Sequence, residues 1–119
     1  MKIFKLILIC LFVTTSAFAD ISPKEKEALV TLYNSTRGDH WNVSWDINES
    51  VSKWHGITIE NNKVVEINLE FNNLEGELPN EIGNLVYLER INLGFNKLEG
   101  ELPKDLKNLR ELRSLELFM

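Results

Sequence analysis

The stretch LEFNNLEGELPNEIGNL, residues 69–85, returns 24 residues later as LGFNKLEGELPKDLKNL, residues 93–109. The register starts at Val64, which lines up with Leu88 and Leu112; Ile67, Ile91 and Leu115 follow, then Leu69, Leu93 and Leu117. Asn72 matches Asn96, Leu74 matches Leu98, Gly76 matches Gly100, Leu78 matches Leu102, Pro79 matches Pro103, Ile82 matches Leu106 and Leu85 matches Leu109, all at the same offset of 24. A globular core has no use for such repetition. A fixed period of this length, without insertion, marks a solenoid in which each repeat makes one coil and buries its apolar face against its neighbours. The sequence therefore divides into a first repeat at 64–87, a second at 88–111 and an incomplete third at 112–119.

Two segments precede the repeats. Residues 1–19 open with Lys2 and Lys5, run through an apolar core from Leu6 to Val13 and close on Ala17-Phe18-Ala19, which is the pattern of a cleaved secretory signal. The apolar run is well short of the ~20 residues that span a bilayer, so a retained anchor is disfavoured. Residues 20–63 form a leading cap. Ser22, Pro23 and Glu25 carry the start signals of a helix, including a capping box. Ala28, Leu29, Leu32 and Tyr33 share one helical face, with Lys24, Glu25 and Glu27 expected in water. A polar loop follows that holds all three tryptophans, Trp41, Trp45 and Trp54, and tryptophans in such a loop are there to pack. ITIE and VVEINLE then read as strands joined by NNK, a hairpin-length connection.

Removing residues 1–19 takes away the only cysteine and leaves 11 basic and 18 acidic side chains, a net charge of −7. An acidic surface repels phosphate backbones and anionic headgroups, which excludes nucleic acid as a partner and argues against membrane association once the signal is cleaved. A secreted domain of this size usually relies on disulfides, so its stability must come from elsewhere. Three N-x-S/T sites, at Asn34, Asn42 and Asn48, become glycosylation sites only in a eukaryotic source.

The pattern V-x-x-I-x-L-x-x-N-x-L-x-G-x-L-P-x-x-I-x-x-L resembles the 24-residue leucine-rich repeat familiar from plant receptor ectodomains and also found in bacterial secreted proteins. ALVTLYNSTRGDHW, Trp45 and the W-x-G-I element at Trp54–Ile57 are similar to that class's N-terminal cap. The cysteines that flank this element in plant members are replaced by Ser52 and Ile59, which implies a cysteine-free cap. The resemblance covers residues 22–119 and implies an α/β solenoid: a short right-handed superhelix of about two and a third coils behind a helix-and-hairpin cap. It further implies that Asn72 and Asn96 stack in a ladder serving backbone groups at the inward turn. Gly76 and Gly100 permit the outer turn, and Pro79 and Pro103 fix the dihedral after it.

Function in such a coil belongs to the solvent-facing strand columns. These read Glu66, Arg90, Ser114; Asn68, Asn92, Glu116; Glu70, Gly94, Phe118; and Phe71, Phe95, Met119. Glu66, Asn68, Glu70, Phe71, Arg90, Asn92 and Phe95 are the candidate ligand-binding residues of the concave face, with Glu66 and Arg90 opposed as an ion pair. The phenylalanines are either contact anchors or shields for the strand end. No catalytic residue, metal site or cofactor is expected: His40 and His55 belong to no ligand or nucleophile spacing, and neither a G-x-S-x-G nor a phosphate loop is present.

The expectation is a secreted, extracellular or cell-surface binding module, periplasmic in some bacteria, that recognises a protein or carbohydrate through its concave face. Two further readings stand beside it, both raised by Leu112, Leu115 and Leu117, which belong to a strand with no coil or polar cap to cover it. One is a truncated piece of a longer leucine-rich-repeat surface protein or receptor with no activity of its own. The other is self-association through the uncovered C-terminal strand.

Overall fold

The computed structural model describes residues 20–117. The expected signal segment, Phe118 and Met119 lie outside the described residues.

The chain begins with helix α1, Pro23–Ser35, capped by Ser22, whose hydroxyl accepts from Glu25 N at 3.2 Å. Ala28, Leu29 and Leu32 are buried on its inner face. Glu25 departs from expectation: it is buried, not solvated, with 4% of its surface exposed. The reason is a long-range acceptor role. One carboxylate oxygen accepts from the Ser22 hydroxyl at 3.0 Å, and the other accepts from Val64 N at 2.9 Å. The return arm of the capping box is thereby redirected, so that the carboxylate pins α1 to the first repeat strand.

The tryptophans hold the cap loop together through packing rather than through disulfides. Trp45 stacks on Trp54 with centroids 4.7 Å apart and meets Trp41 edge-on at 4.8 Å, while Tyr33 packs edge-on against Trp41 at 5.3 Å. Each indole N–H donates to a backbone carbonyl: Trp41 to Thr36 at 3.0 Å, Trp45 to His55 at 2.8 Å and Trp54 to Asp46 at 3.0 Å. Buried rings with satisfied N–H groups combine a large apolar area with fixed orientation, and they freeze a loop that has little regular structure.

Strands β1, Ile57–Glu60, and β2, Lys63–Asn68, form an antiparallel hairpin. Its loop is only Asn61-Asn62, with φ of 53° and 62°, because Lys63 pairs with Glu60. Two consecutive positive φ values suit a tight hairpin, and asparagine tolerates them. Strand β3, Glu75–Gly76, leads on to β4, Arg90–Asn92; β5, Lys97–Leu98; and β6, Ser114–Glu116. The main sheet runs β1-β2-β4-β6, parallel after the hairpin, and a second sheet joins β3 to β5 on the flank. Short 3₁₀ turns at Asn80–Asn84 and Lys104–Asn108 form the outer side of each coil.

The main sheet keeps the 24-residue register: Arg90 pairs with Glu66 on one side and Ser114 on the other, Ile91 with Ile67 and Leu115, and Asn92 with Asn68 and Glu116. Ile67, Leu69, Leu74, Ile82, Leu85, Leu88, Ile91 and Leu93 are buried between coils. Each such side chain contributes about 1.5–3 kcal/mol, so the stability resides in whole columns. Gly76 shows why one column must lack a side chain. Its φ is 118°, and an added Cβ would lie 2.4 Å from the Ser35 carbonyl oxygen, where the outer turn passes the end of α1.

Candidate functional site

The inward turn after each strand is held by asparagine. Asn96 Oδ1 accepts from both Asn72 N and Leu74 N at 3.0 Å, and its Nδ2 donates to the carbonyls of Leu69, Leu93 and Gly94 at 2.9–3.1 Å. Asn72 does the same for the cap: Oδ1 accepts from Val43 N at 2.8 Å and Nδ2 donates to Val43 O at 3.0 Å. Both side chains are buried, and each serves the layer before its own. That pairing fixes the backbone from which the neighbouring phenylalanines project.

The concave columns divide by how much of their chemistry is already engaged. Glu66 lies 3.4 Å from Arg90 and accepts from the Thr58 hydroxyl at 3.1 Å, while Arg90 also lies 3.6 Å from Glu89. Arg90 is about half exposed, so these ion pairs add at most about 1 kcal/mol. Asn68 Oδ1 accepts from Glu70 N at 3.3 Å and Asn92 Oδ1 from Gly94 N at 3.0 Å, so both carboxamides bond to their own strand ends. Glu70 is exposed.

Phe71 and Phe95 are different. Their rings stack with centroids 4.4 Å apart and an interplanar angle of 3°, yet 65% and 46% of their respective surfaces remain exposed. Both residues have positive φ, 53° and 57°, a conformation that is costly for a bulky side chain. The stack forms one wall of an open recess of about 340 Å³ that Asn42, Asn73, Asn96 and Lys97 complete. Asn42 Nδ2 donates to Phe71 O at 3.1 Å and Asn73 Nδ2 donates to His40 O at 3.0 Å. The recess thus combines a flat apolar wall with carboxamides and one ammonium group.

Asn42, Asn73 and Lys97 escaped the sequence reading. Asn42 stood out only as a glycosylation sequon, and its approach to Phe71 depends on the non-periodic Trp-rich loop. Asn34, Asn42 and Asn48 are all exposed. His40 and His55 are exposed and stand outside the recess. Among the described residues no three His, Cys, Asp or Glu side chains gather as metal ligands, and no helix is long and apolar enough to cross a membrane.

The Leucine Rich Repeat family profile matches residues 63–85 and 87–109, the two coils that carry the phenylalanine stack and the asparagine ladder. The chain is a leucine-rich-repeat protein. It is 37% identical over 89 residues to a probable leucine-rich repeat receptor-like protein kinase of Arabidopsis thaliana, a match that takes in 73% of this chain and 9% of that protein. Among solved structures it resembles the BIR2 ectodomain of Arabidopsis thaliana, at a TM-score of 0.70 and 25% identity over 84% of this chain and 56% of that one. The leucine-rich-repeat ectodomain of the Arabidopsis receptor kinase SOBIR1 gives a TM-score of 0.65 at 19% identity, over 85% of this chain and 58% of that one. A leucine-rich repeat protein of Bacteroides eggerthii gives 0.54 at 22% identity, over 61% of this chain and 14% of that one. The leucine-rich-repeat chain thus spans about a tenth of its curated relative and just over half of each plant ectodomain. Its repeats are of the plant type, and its solenoid is that of the receptor ectodomains.

Proposed function

We propose that this leucine-rich-repeat protein is a non-catalytic recognition module, exported from the cell, that captures a protein through the Phe71–Phe95 wall and the concave columns beside it. The observation that carries this reading is the exposed aromatic stack. Two phenylalanines occupy the same repeat column at positive φ, where a smaller residue would sit more easily, and they leave much of their ring area in water. Stacked rings offer a large, rigid contact area at low entropic cost, and aromatic residues dominate the energetics of protein recognition. The engaged side chains of Glu66, Asn68, Arg90 and Asn92 supply a preorganised polar floor beside them.

Likeness to receptor ectodomains supports a location outside the cell, as does the signal pattern at residues 1–19. Expression with an intact leader should release protein that begins at Asp20, as read by N-terminal mass spectrometry. Recognition is tested by cross-linked capture from the source's own secreted proteins, with Phe71→Asn/Phe95→Asn as the control. The double variant should lose the captured protein while melting at the same temperature. Retained capture with a lowered melting temperature makes the stack structural. Capture that survives protease treatment of the bait-bound fraction and vanishes on deglycosylation assigns the surface to carbohydrate instead.

A further inference from the structure

Asn42 stands in the recess with a nitrogen that the chemistry of export can modify. Asn42-Val43-Ser44 is an N-x-S sequon, and Asn42 Nδ2, the atom that receives the sugar in such a sequence, lies 3.1 Å from Phe71 O. Asn34 and Asn48, the other two sequon asparagines, are exposed as well, but neither lines the recess. Asn34 belongs to the last turn of α1, and Asn48 sits in a turn where its N–H donates to Asp46 Oδ1 at 3.0 Å. Of the three acceptors, Asn42 alone starts a glycan inside the aromatic site.

The sequon is fixed along its length in the folded chain. Asn42 N donates to Asn72 O at 3.1 Å, Val43 exchanges two bonds with the Asn72 carboxamide, and the Ser44 hydroxyl donates to Gly38 O at 2.6 Å. Modification needs that hydroxyl-bearing third residue accessible, so it precedes the docking of this loop, during passage of the chain out of the cell. The signal pattern at residues 1–19 predicts such a passage. The folded chain then accommodates the product. A substituted Nδ2 keeps one proton, which still serves Phe71 O, and the sugar takes the place of the other.

The wall beside that nitrogen is apolar and uncovered. Phe71 and Phe95 are 65% and 46% exposed, and Val43, inside the sequon itself, is 48% exposed. Contiguous apolar surface of this kind is uncommon on a soluble domain unless something covers it. A pyranose ring has a face of C–H groups and a rim of hydroxyls. The phenylalanine rings offer the face an apolar contact, and Asn73 and Lys97 across the recess offer the hydroxyls polar partners.

We propose that Asn42 accepts an N-linked glycan in an export pathway that supplies a lipid-linked oligosaccharide, and that its first sugar lies on the Phe71–Phe95 wall. Nδ2 attacks the anomeric carbon of the donor. The new N–C bond forms as the C–O bond to the lipid diphosphate breaks, the diphosphate leaves with the electron pair, and one Nδ2 proton passes to a base of the transferring enzyme. The modified chain is the closed form of the recess and the unmodified chain the open form. The effect on capture rests on the recognition reading above; the cover itself rests on the recess geometry alone.

Production of the full 119-residue chain, with its leader, in a eukaryotic secretory host tests both parts. Enzymatic deglycosylation in heavy-oxygen water, read by peptide mass spectrometry, should mark Asn42 as occupied. Hydroxyl-radical labelling of Phe71 and Phe95 should be weaker in the glycosylated chain than in Ser44→Ala, which keeps Asn42 but loses the sequon. Labelling of Tyr87, 41% exposed and outside the recess, should be the same in both. Ser44→Thr restores sequon and hydroxyl together and should restore the glycan and the protection. Asn42→Gln leaves the Ser44 bond to Gly38 in place and should label as Ser44→Ala does, which separates loss of the sugar from a folding defect at residue 44. A bare Asn42 in the exported chain overturns the inference, and so does full labelling of both rings beneath an occupied Asn42. In the capture experiment Ser44→Ala should take more of the captured protein than the glycosylated chain. Equal capture by the two, with both rings protected, overturns the closed-form assignment. No capture by Ser44→Ala overturns recognition through the recess instead, and the labelling then decides the cover by itself.

Discussion

Asn96 reaches back from the second coil to accept from two amides of the first, Asn72 N and Leu74 N, each at 3.0 Å. One buried carboxamide thus closes the turn of a layer to which it does not belong, and its Nδ2 closes three carbonyls as well. Replacing it with alanine strands amides that have no water to turn to.

Asn96→Ala should therefore lower the unfolding free energy by about 2–3 kcal/mol, the scale of unsatisfied buried polar groups. Urea denaturation followed by circular dichroism measures it. Asn73, nearby but half-exposed, makes only one such bond, to His40 O, so Asn73→Gly, which accepts the positive φ of 61° there, should cost less than half as much.

Glu25 joins two elements 39 residues apart through its bond to Val64 N. Glu25→Ala leaves that buried amide without an acceptor, a loss of about 1–3 kcal/mol. Glu25→Gln keeps a carbonyl oxygen able to reach Val64 N and should recover more than half of the difference. Equal losses in both variants would show that the carboxylate charge matters more than the hydrogen bond. Amide hydrogen exchange at Val64 gives a direct readout, with protection lost in the alanine variant and kept in the glutamine one.

The repeats were legible because a solenoid must place the same side chain at the same angle in every coil, so the columns from Val64 to Leu117 could be aligned by spacing alone. The tryptophans and the hairpin could be read as well, since both use local chemistry. Glu25 could not: its helix-start signature is the same whether the carboxylate bonds its own cap or a strand far along the chain. Phe71 and Phe95 were visible as one column, but the carboxamide and ammonium groups opposite them were not. Asn42 reaches Phe71 only through the fold of the loop around Trp41 and Trp45, which carries no period to extrapolate.

Gly83 marks a close approach between the outer sides of the two coils. The nearest atoms to an added Cβ are Asp105 backbone and Cβ atoms at 2.5–3.0 Å, none of them the flexible end of a side chain. Gly83→Ala should push the 3₁₀ turns at Asn80–Asn84 and Lys104–Asn108 apart and cost about 1–3 kcal/mol, as overpacking does. Lys107, its counterpart one repeat later, is exposed, so Lys107→Ala should be neutral within about 0.5 kcal/mol, as for an ordinary surface substitution. Thermal melts of the two variants should separate by several degrees.

Phe71 and Phe95 set stacking against backbone strain. Their parallel contact at 4.4 Å adds about 0.5–1.5 kcal/mol, the range for paired aromatic rings. Left-handed φ at a bulky residue costs roughly 1–2 kcal/mol, and asparagine occupies that region far more readily. The two contributions nearly cancel. Phe71→Asn and Phe95→Asn should each leave the melting temperature close to that of the parent, because relief of strain offsets the lost stack. If aromatic rings at these positions existed to shield the strand end, each substitution would instead lower stability by about 2 kcal/mol or more, as removal of a packed apolar side chain does. A near-neutral melting temperature combined with loss of partner capture assigns the rings to recognition; a marked drop with capture intact assigns them to the fold.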